Sequence, residues 1–259
     1  MKSLRVKTIL TLVFCFCLNA NAFAKEQKEL RSQHFIIYHK NVAQSFLNKL
    51  QSRAEDYYSD IIQELGFRRS KFWTWGNRAK IYVFDSRQDY LNSTGMASWS
   101  GASVDYRNKV INTYPGSKDF FKNILVHELT HIIFREYVGF GSNVPLWLDE
   151  GVAMFMEKKK DEYALKRSLK RLDNAGSLFG FSQLSAIRDV MRFAPQQAGV
   201  FYTQSRSIVH FLIKRYGRNK FALFCYALKQ GRSLEKSLSF AFGIRKLDEL
   251  ETKWQGYYF

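Results

Sequence analysis

Apolar residues come in short, strand-length stretches in the first half of the chain and at helical spacing through most of the second. Phe35 to His39 reads as one strand and the alternating segment Lys80 to Phe84 as another. Between them, Val42 to Leu65 has the pattern of an amphipathic helix, closed by Gly66. Arg87 to Asn92 predicts a short helix ended by Gly95, and Ala97 to Asn112 a pair of strands turning near Tyr106-Arg107-Asn108. Pro115-Gly116-Ser117 then stops the chain, which places Ser117 as an N-cap and Asp119 in the first turn of a helix from about Lys118 to Tyr137. The remainder predicts helices over Leu146 to Lys159, Asp161 to Asp173, Gln197 to Tyr216, Lys220 to Lys229, Leu234 to Phe242 and Lys246 to Tyr257. A short connecting helix fits Ser182 to Asp189. Strands first and helices after indicate an α+β fold with segregated layers, a mixed part over about 25–140 and a mainly helical part over 141–259.

One predicted helix departs from the usual separation of polar and apolar faces. Phe121, Ile124, Leu125, Ile132 and Phe134 spread around it, as in a helix buried on more than one side, yet it also carries His127-Glu128-Leu129-Thr130-His131. Two imidazoles and a carboxylate buried together are costly unless mutually satisfied, and a metal satisfies them. Residues four apart stand one turn apart on nearly the same face, so His127 and His131 can converge on one ion. Glu128, rotated about 100° from His127, can act as general base toward a water on that ion without becoming a ligand. Glu150, in Pro145-Leu146-Trp147-Leu148-Asp149-Glu150-Gly151, is the third ligand. The 18 residues between it and His131 let one helix end near Gly139 and Gly141 and a second begin at Pro145. Two His and one carboxylate leave a fourth tetrahedral position open, as a catalytic zinc site requires.

These residues resemble the gluzincin metallopeptidases, the group that includes thermolysin and the aminopeptidase N family, and the His-to-Glu interval equals that of the latter. The segments VHELTHIIF and PLWLDEGVAMFME are also similar to bacterial peptidase MA-like domains, in which a helix-borne WLxEG element supplies the carboxylate. The resemblance covers most of the chain after residue 24. It implies a thermolysin-like fold with zinc in a cleft between the mixed and helical parts, and a zinc-dependent peptidase. It further implies an oxyanion donor, a Tyr or His from the helical part. Tyr202, in VFYTQSRS, lies at a comparable distance, although its neighbours Val200 and Phe201 fit core packing equally well. His210, amid Ile208, Val209, Phe211 and Leu212, reads as a core histidine before a donor. Asp149 either orients a ligand histidine or stands as an exposed helix carboxylate. Aminopeptidase N enzymes bind the substrate amine with the Glu of a GxMEN element, whereas Gly95-Met96-Ala97-Ser98-Trp99-Ser100-Gly101 has no acid, which favours an endopeptidase. The region from Trp99 to Ile111 can still pair with substrate backbone as an added strand. Thermolysin's Asp four positions after the ligand Glu has no counterpart, since Met154 stands there.

Composition adds a destination. Lys2, Arg5 and Lys7, the apolar run Ile9 to Leu18 and the small-residue pattern Ala22-Phe23-Ala24 read as a signal peptide over residues 1–24. That run is well short of the roughly twenty residues that span a bilayer, so no transmembrane anchor is expected after cleavage. The periplasm, or secretion beyond it, is the expected location. Cys15 and Cys17 leave with the signal, and Cys225, within the apolar run Phe221 to Leu228, reads as a buried small hydrophobe. The net charge of +17 suits an anionic envelope surface or acidic substrates. Basic residues are spread from Arg31 to Lys253 without a nucleic-acid module, so nucleic acid is not an expected partner. The mixed-sign run Glu157-Lys158-Lys159-Lys160-Asp161-Glu162 reads as a solvated helix end. The expectation is an exported zinc metallopeptidase acting on proteins or peptides. Its alternatives are a catalytically inactive peptidase-like scaffold protein of the envelope and a hydrolase of peptidoglycan cross-links.

Overall fold

The computed structural model describes residues 27–67, 73–97, 100–157 and 162–259. The segment 1–24 read above as a signal peptide, Trp99 and Lys158 to Asp161 lie outside the described residues. Contacts divide the described chain into two compact units, residues 27–63 with 73–133, and Glu64–Phe67 with Phe134–Phe259. Among the described residues, five strands and ten α-helices make a mixed architecture compatible with an α+β class. Among the described residues no helix is long and apolar enough to cross a membrane.

The first unit is built on a five-stranded sheet: β1 (Lys28–Arg31), β2 (Phe35–His39), β3 (Ala79–Val83), β4 (Ala102–Asp105) and β5 (Val110–Thr113), in the order β1-β2-β3-β5-β4. The central strands β2, β3 and β5 are parallel, and both edges, β1 and β4, pair antiparallel. Parallel neighbours need a crossover, which α1 (Gln44–Leu65) supplies between β2 and β3. Helix is thus interleaved with strand in this unit, where segregated layers were expected. Leu47, Leu50, Ala54, Tyr58 and Ile61 of α1 recur at three- and four-residue spacing and are all buried. The Tyr58 ring meets Phe35 of β2 edge-on at 6.3 Å and Trp73 at 4.9 Å, so α1 covers the face bearing Phe35, Ile37, Ile81 and Ile111, each fully buried. A smaller core of Phe84, Tyr90 and Tyr114 forms around α2 (Arg87–Thr94), which Ser86 caps at its start and Gly95, at φ 65°, ends.

Strand β1 has no counterpart among the predicted elements. Its sequence, Lys-Glu-Leu-Arg, has no apolar alternation because it is an exposed edge, where charged side chains discourage further pairing. The start of the histidine-bearing helix also differs from expectation. Ser117 is not at the cap position, which falls on Asp119 and carries no side-chain cap; the Ser117 hydroxyl instead donates to the Gly101 carbonyl at 2.9 Å. Asp119 takes a left-handed φ of 59°, and one π-helical turn, Phe120–Ile124, leads into α3 (Leu125–Val138). The Phe121 carbonyl accepts the Tyr57 hydroxyl at 2.5 Å, and Phe46 packs on the Phe121 ring at 5.1 Å, so α1 fixes where α3 begins.

The second unit is helical: α4 (Leu146–Glu157), α5 (Glu162–Asn174), α6 (Phe181–Ala186), α7 (Pro195–Tyr216), α8 (Arg218–Lys229), α9 (Leu234–Phe242) and α10 (Leu247–Tyr258). Helices α4 and α7 pack lengthwise, closely enough that a Cβ on Gly151 would stand 2.5 Å from the Ser205 carbonyl oxygen. Only glycine permits that approach. Two buried polar residues of α7, Gln204 and Ser207, are bonded to other segments. Gln204 joins both backbone groups of Phe179, at 3.0 and 2.7 Å, and Trp254 of α10 donates to the Ser207 hydroxyl at 3.0 Å.

Candidate metal centre

Helix α3 holds its polar side chains in an almost dry environment. Every residue from Leu125 to Phe134 is buried, with His127, Glu128 and His131 only 3 to 4% exposed. Its two imidazoles meet at a steep angle, 76° between ring planes, and their Nε2 atoms stand 3.2 Å apart. Glu150 of α4 joins them: His127, His131 and Glu150 each offer one ligand atom, all within 4.8 Å of one another.

The donor set fits a zinc ion. Zn–N bonds of about 2.0–2.1 Å at tetrahedral angles place two ligand nitrogens about 3.3 Å apart, close to the separation found here. Two neutral imidazoles and one carboxylate are borderline and hard donors of the kind zinc takes.

Two features hold the ligand helices in place. At the last turn of α3, Nε and Nη2 of Arg135 both lie 2.7 Å from Oδ2 of Asp149, the neighbour of Glu150. Asp149 is 8% exposed, which overturns the reading of it as a solvent-facing helix carboxylate. Arg135 itself is an addition that the sequence did not suggest. On the far side of Glu150, Gly151 seats α4 against Ser205.

Glu128 does not ligate in this set. Its Oε2 accepts the hydroxyl of Tyr106 at 2.9 Å, and the Tyr106 ring stands edge-on to His131 at 5.4 Å. In the sequence Tyr106 stood out only as part of the β4–β5 turn. The available signal was an aromatic residue in a turn otherwise made of the polar residues Arg107, Asn108 and Lys109.

Tyr202 sits on α7, half-buried, with its ring 5.5 Å from that of Phe201. It lies one turn before Ser205, the residue against Gly151. His210 is a core histidine, 1% exposed, sharing a 2.7 Å hydrogen bond between Nδ1 and the Tyr258 hydroxyl, with Glu162 at 3.4 Å from Nε2. Burial lowers its pKa, against the opposing pull of Glu162. Cys225 is fully buried, and desolvation raises its thiol well above the usual range, so it is inert packing.

A family model described as the Peptidase MA superfamily matches residues 75–259, a span that takes in α3, α4 and Tyr106. The chain belongs to the peptidase MA superfamily. Peptidase MA proteins are generally zinc-dependent, and the His127, His131 and Glu150 group is one that could hold that ion. No curated protein matches the chain.

Proposed function

We propose that this peptidase MA protein is an exported, gluzincin-type zinc metallopeptidase with a thermolysin-like layout, acting as an endopeptidase on proteins or peptides. The observation that carries the reading is the convergence of His127, His131 and Glu150, with a second carboxylate, Glu128, one residue from the first ligand. Zinc held there supplies Lewis acidity toward water and toward the scissile carbonyl. Glu128 takes a proton from the attacking water and delivers it to the departing amine nitrogen as the C–N bond breaks. Its burial keeps water from competing for that proton and strengthens each local charge interaction. Tyr202 is assigned to the carbonyl oxygen as charge develops there, from its place one turn before Ser205 on α7. Strand β4 is a sheet edge with only β5 beside it among the described residues, and its backbone offers an antiparallel template for an extended substrate.

Export rests on the basic, apolar and small-residue pattern of residues 1–24, and the periplasm or the medium is the assigned destination. The surplus of Lys and Arg, +17 for the whole chain and +14 without residues 1–24, would hold the protein near anionic envelope polymers.

The test uses purified residues 25–259, bound zinc measured by elemental analysis, and turnover of casein and quenched peptides by wild type and Glu128→Gln. About one zinc per chain in both proteins, with cleavage by wild type alone, is expected. Equal cleavage by both, or no zinc in either, would sink the proposal.

A further inference from the structure

The turn that carries Tyr106 is constructed with more care than a surface loop needs. Asp105, the last residue of β4, accepts the backbone N–H of Asn108 at 3.0 Å and its side-chain amide at 2.7 Å. Lys109 closes the turn at φ 55°, a left-handed conformation that is unfavourable for a residue with a side chain. Neighbouring groups hold it there. Lys109 is only 8% exposed, its ammonium donates to Oδ1 of Asn77 at 2.6 Å, and it lies over the Trp73 ring at 5.8 Å. Both ends of the turn are thereby pinned, and Tyr106 projects from a fixed base.

From that base it touches two working groups at once, Oε2 of Glu128 through its hydroxyl and the His131 ring through its edge. A carboxylate on a helix has free rotation at its outer bonds, and a general base must present one oxygen within hydrogen-bond reach of its proton. Resting on the peptidase reading above, we infer that Tyr106 is a positioning residue for Glu128. Its hydroxyl holds Oε2 and so fixes the rotation of the carboxylate, while its ring limits rotation of His131. Because Tyr106 directly follows the edge strand β4, the same hairpin that would receive substrate also sets the base.

Two substitutions separate these contacts. Tyr106→Phe keeps the ring against His131 and removes the hydroxyl, and Tyr106→Ala removes both. Misplacement of a catalytic group by about 1 Å costs on the order of a hundredfold in rate. Tyr106→Phe is accordingly expected to bind zinc as wild type does and to lose about ten- to hundredfold in kcat with KM within about twofold. Tyr106→Ala should lose a similar factor in kcat and bind zinc more weakly in a chelator competition. Unchanged kcat in Tyr106→Phe overturns the inference, as does a loss confined to KM, which would make Tyr106 a substrate contact. Crystal structures of wild type and Tyr106→Phe provide a readout independent of turnover. Glu128 should occupy one conformer in the first and a displaced or divided one in the second, and an unmoved carboxylate refutes the positioning role. A wild type that cleaves nothing but shows this displacement would remove the peptidase reading and leave the Tyr106 contact standing.

Discussion

Gly151→Ala tests whether the α4–α7 contact sets the position of Glu150. The added methyl would meet the Ser205 carbonyl oxygen at 2.5 Å, the Ser205 carbonyl carbon at 2.9 Å and Cγ2 of Val209 at 2.9 Å. Ordinary van der Waals contact begins near 3.4 Å, and two of the three obstructing atoms belong to the backbone and cannot rotate aside. The helices must therefore separate by close to about 1 Å, loosening the packing along their length. Overpacking of this kind costs about 1–3 kcal/mol, against a gain of up to about 1 kcal/mol from alanine's better helix propensity. The net expectation is a loss of about 1–2 kcal/mol, or about 2–8 °C in thermal midpoint for a chain of this size. Glu150 should move with the helix and weaken zinc binding about tenfold. Gly199→Ala is the control. Gly199 also lies within a helix, but no atom stands within 4 Å of the place its added methyl would take, so propensity alone acts and stability rises by up to about 1 kcal/mol. Differential scanning calorimetry on the zinc-free proteins, with a chelator competition for affinity, gives both quantities. A Gly151→Ala protein as stable as wild type, with unchanged zinc affinity, would refute the reasoning.

Asp149→Asn should destabilise by about 2 kcal/mol in urea titration, because it leaves the largely buried Arg135 guanidinium without its counter-charge, whereas Glu29→Gln, which breaks an exposed pair with Arg31, should cost under about 0.5 kcal/mol. Equal effects would contradict the role of Asp149 as the tie between α3 and α4. Glu55 carries a pH signature: burial pushes its pKa up, but hydrogen bonds from Ser32 and His34 outweigh that and bring it below the usual 4.5. A depressed acid adds stability that is complete above the unfolded pKa and fades as pH falls through the folded value. Glu55→Gln should accordingly lower the urea midpoint at pH 7 and lower it less at pH 3, and an identical decrement at both pH values would contradict the assignment.

Most elements were legible because their apolar spacing coincides with their burial. The buried stripe of α1, the end of α2 at Gly95 and the long helix α7, predicted from Gln197 and observed from Pro195, all follow from local pattern. What local pattern misses is structure stabilised from elsewhere. Strand β1 exists because β2 offers it a ladder, and the π turn before α3 exists because Ser117 is bonded to Gly101 and Tyr57 holds Phe121. Parallel pairing of β2, β3 and β5 is likewise non-local, so alternation announced strands without announcing their order.

For the candidate metal centre, the division follows the range of the interactions. The i, i+4 spacing of His127 and His131 is a property of the helix alone, so the sequence determined that pair and, through the Glu150 interval, its third member. Tertiary structure decided the groups that restrain them: Tyr106 reaches Glu128 across 22 residues and Arg135 reaches Asp149 across 14. Neither pairing leaves a periodic trace, because each depends on where a turn or a second helix is carried by the packing beneath it.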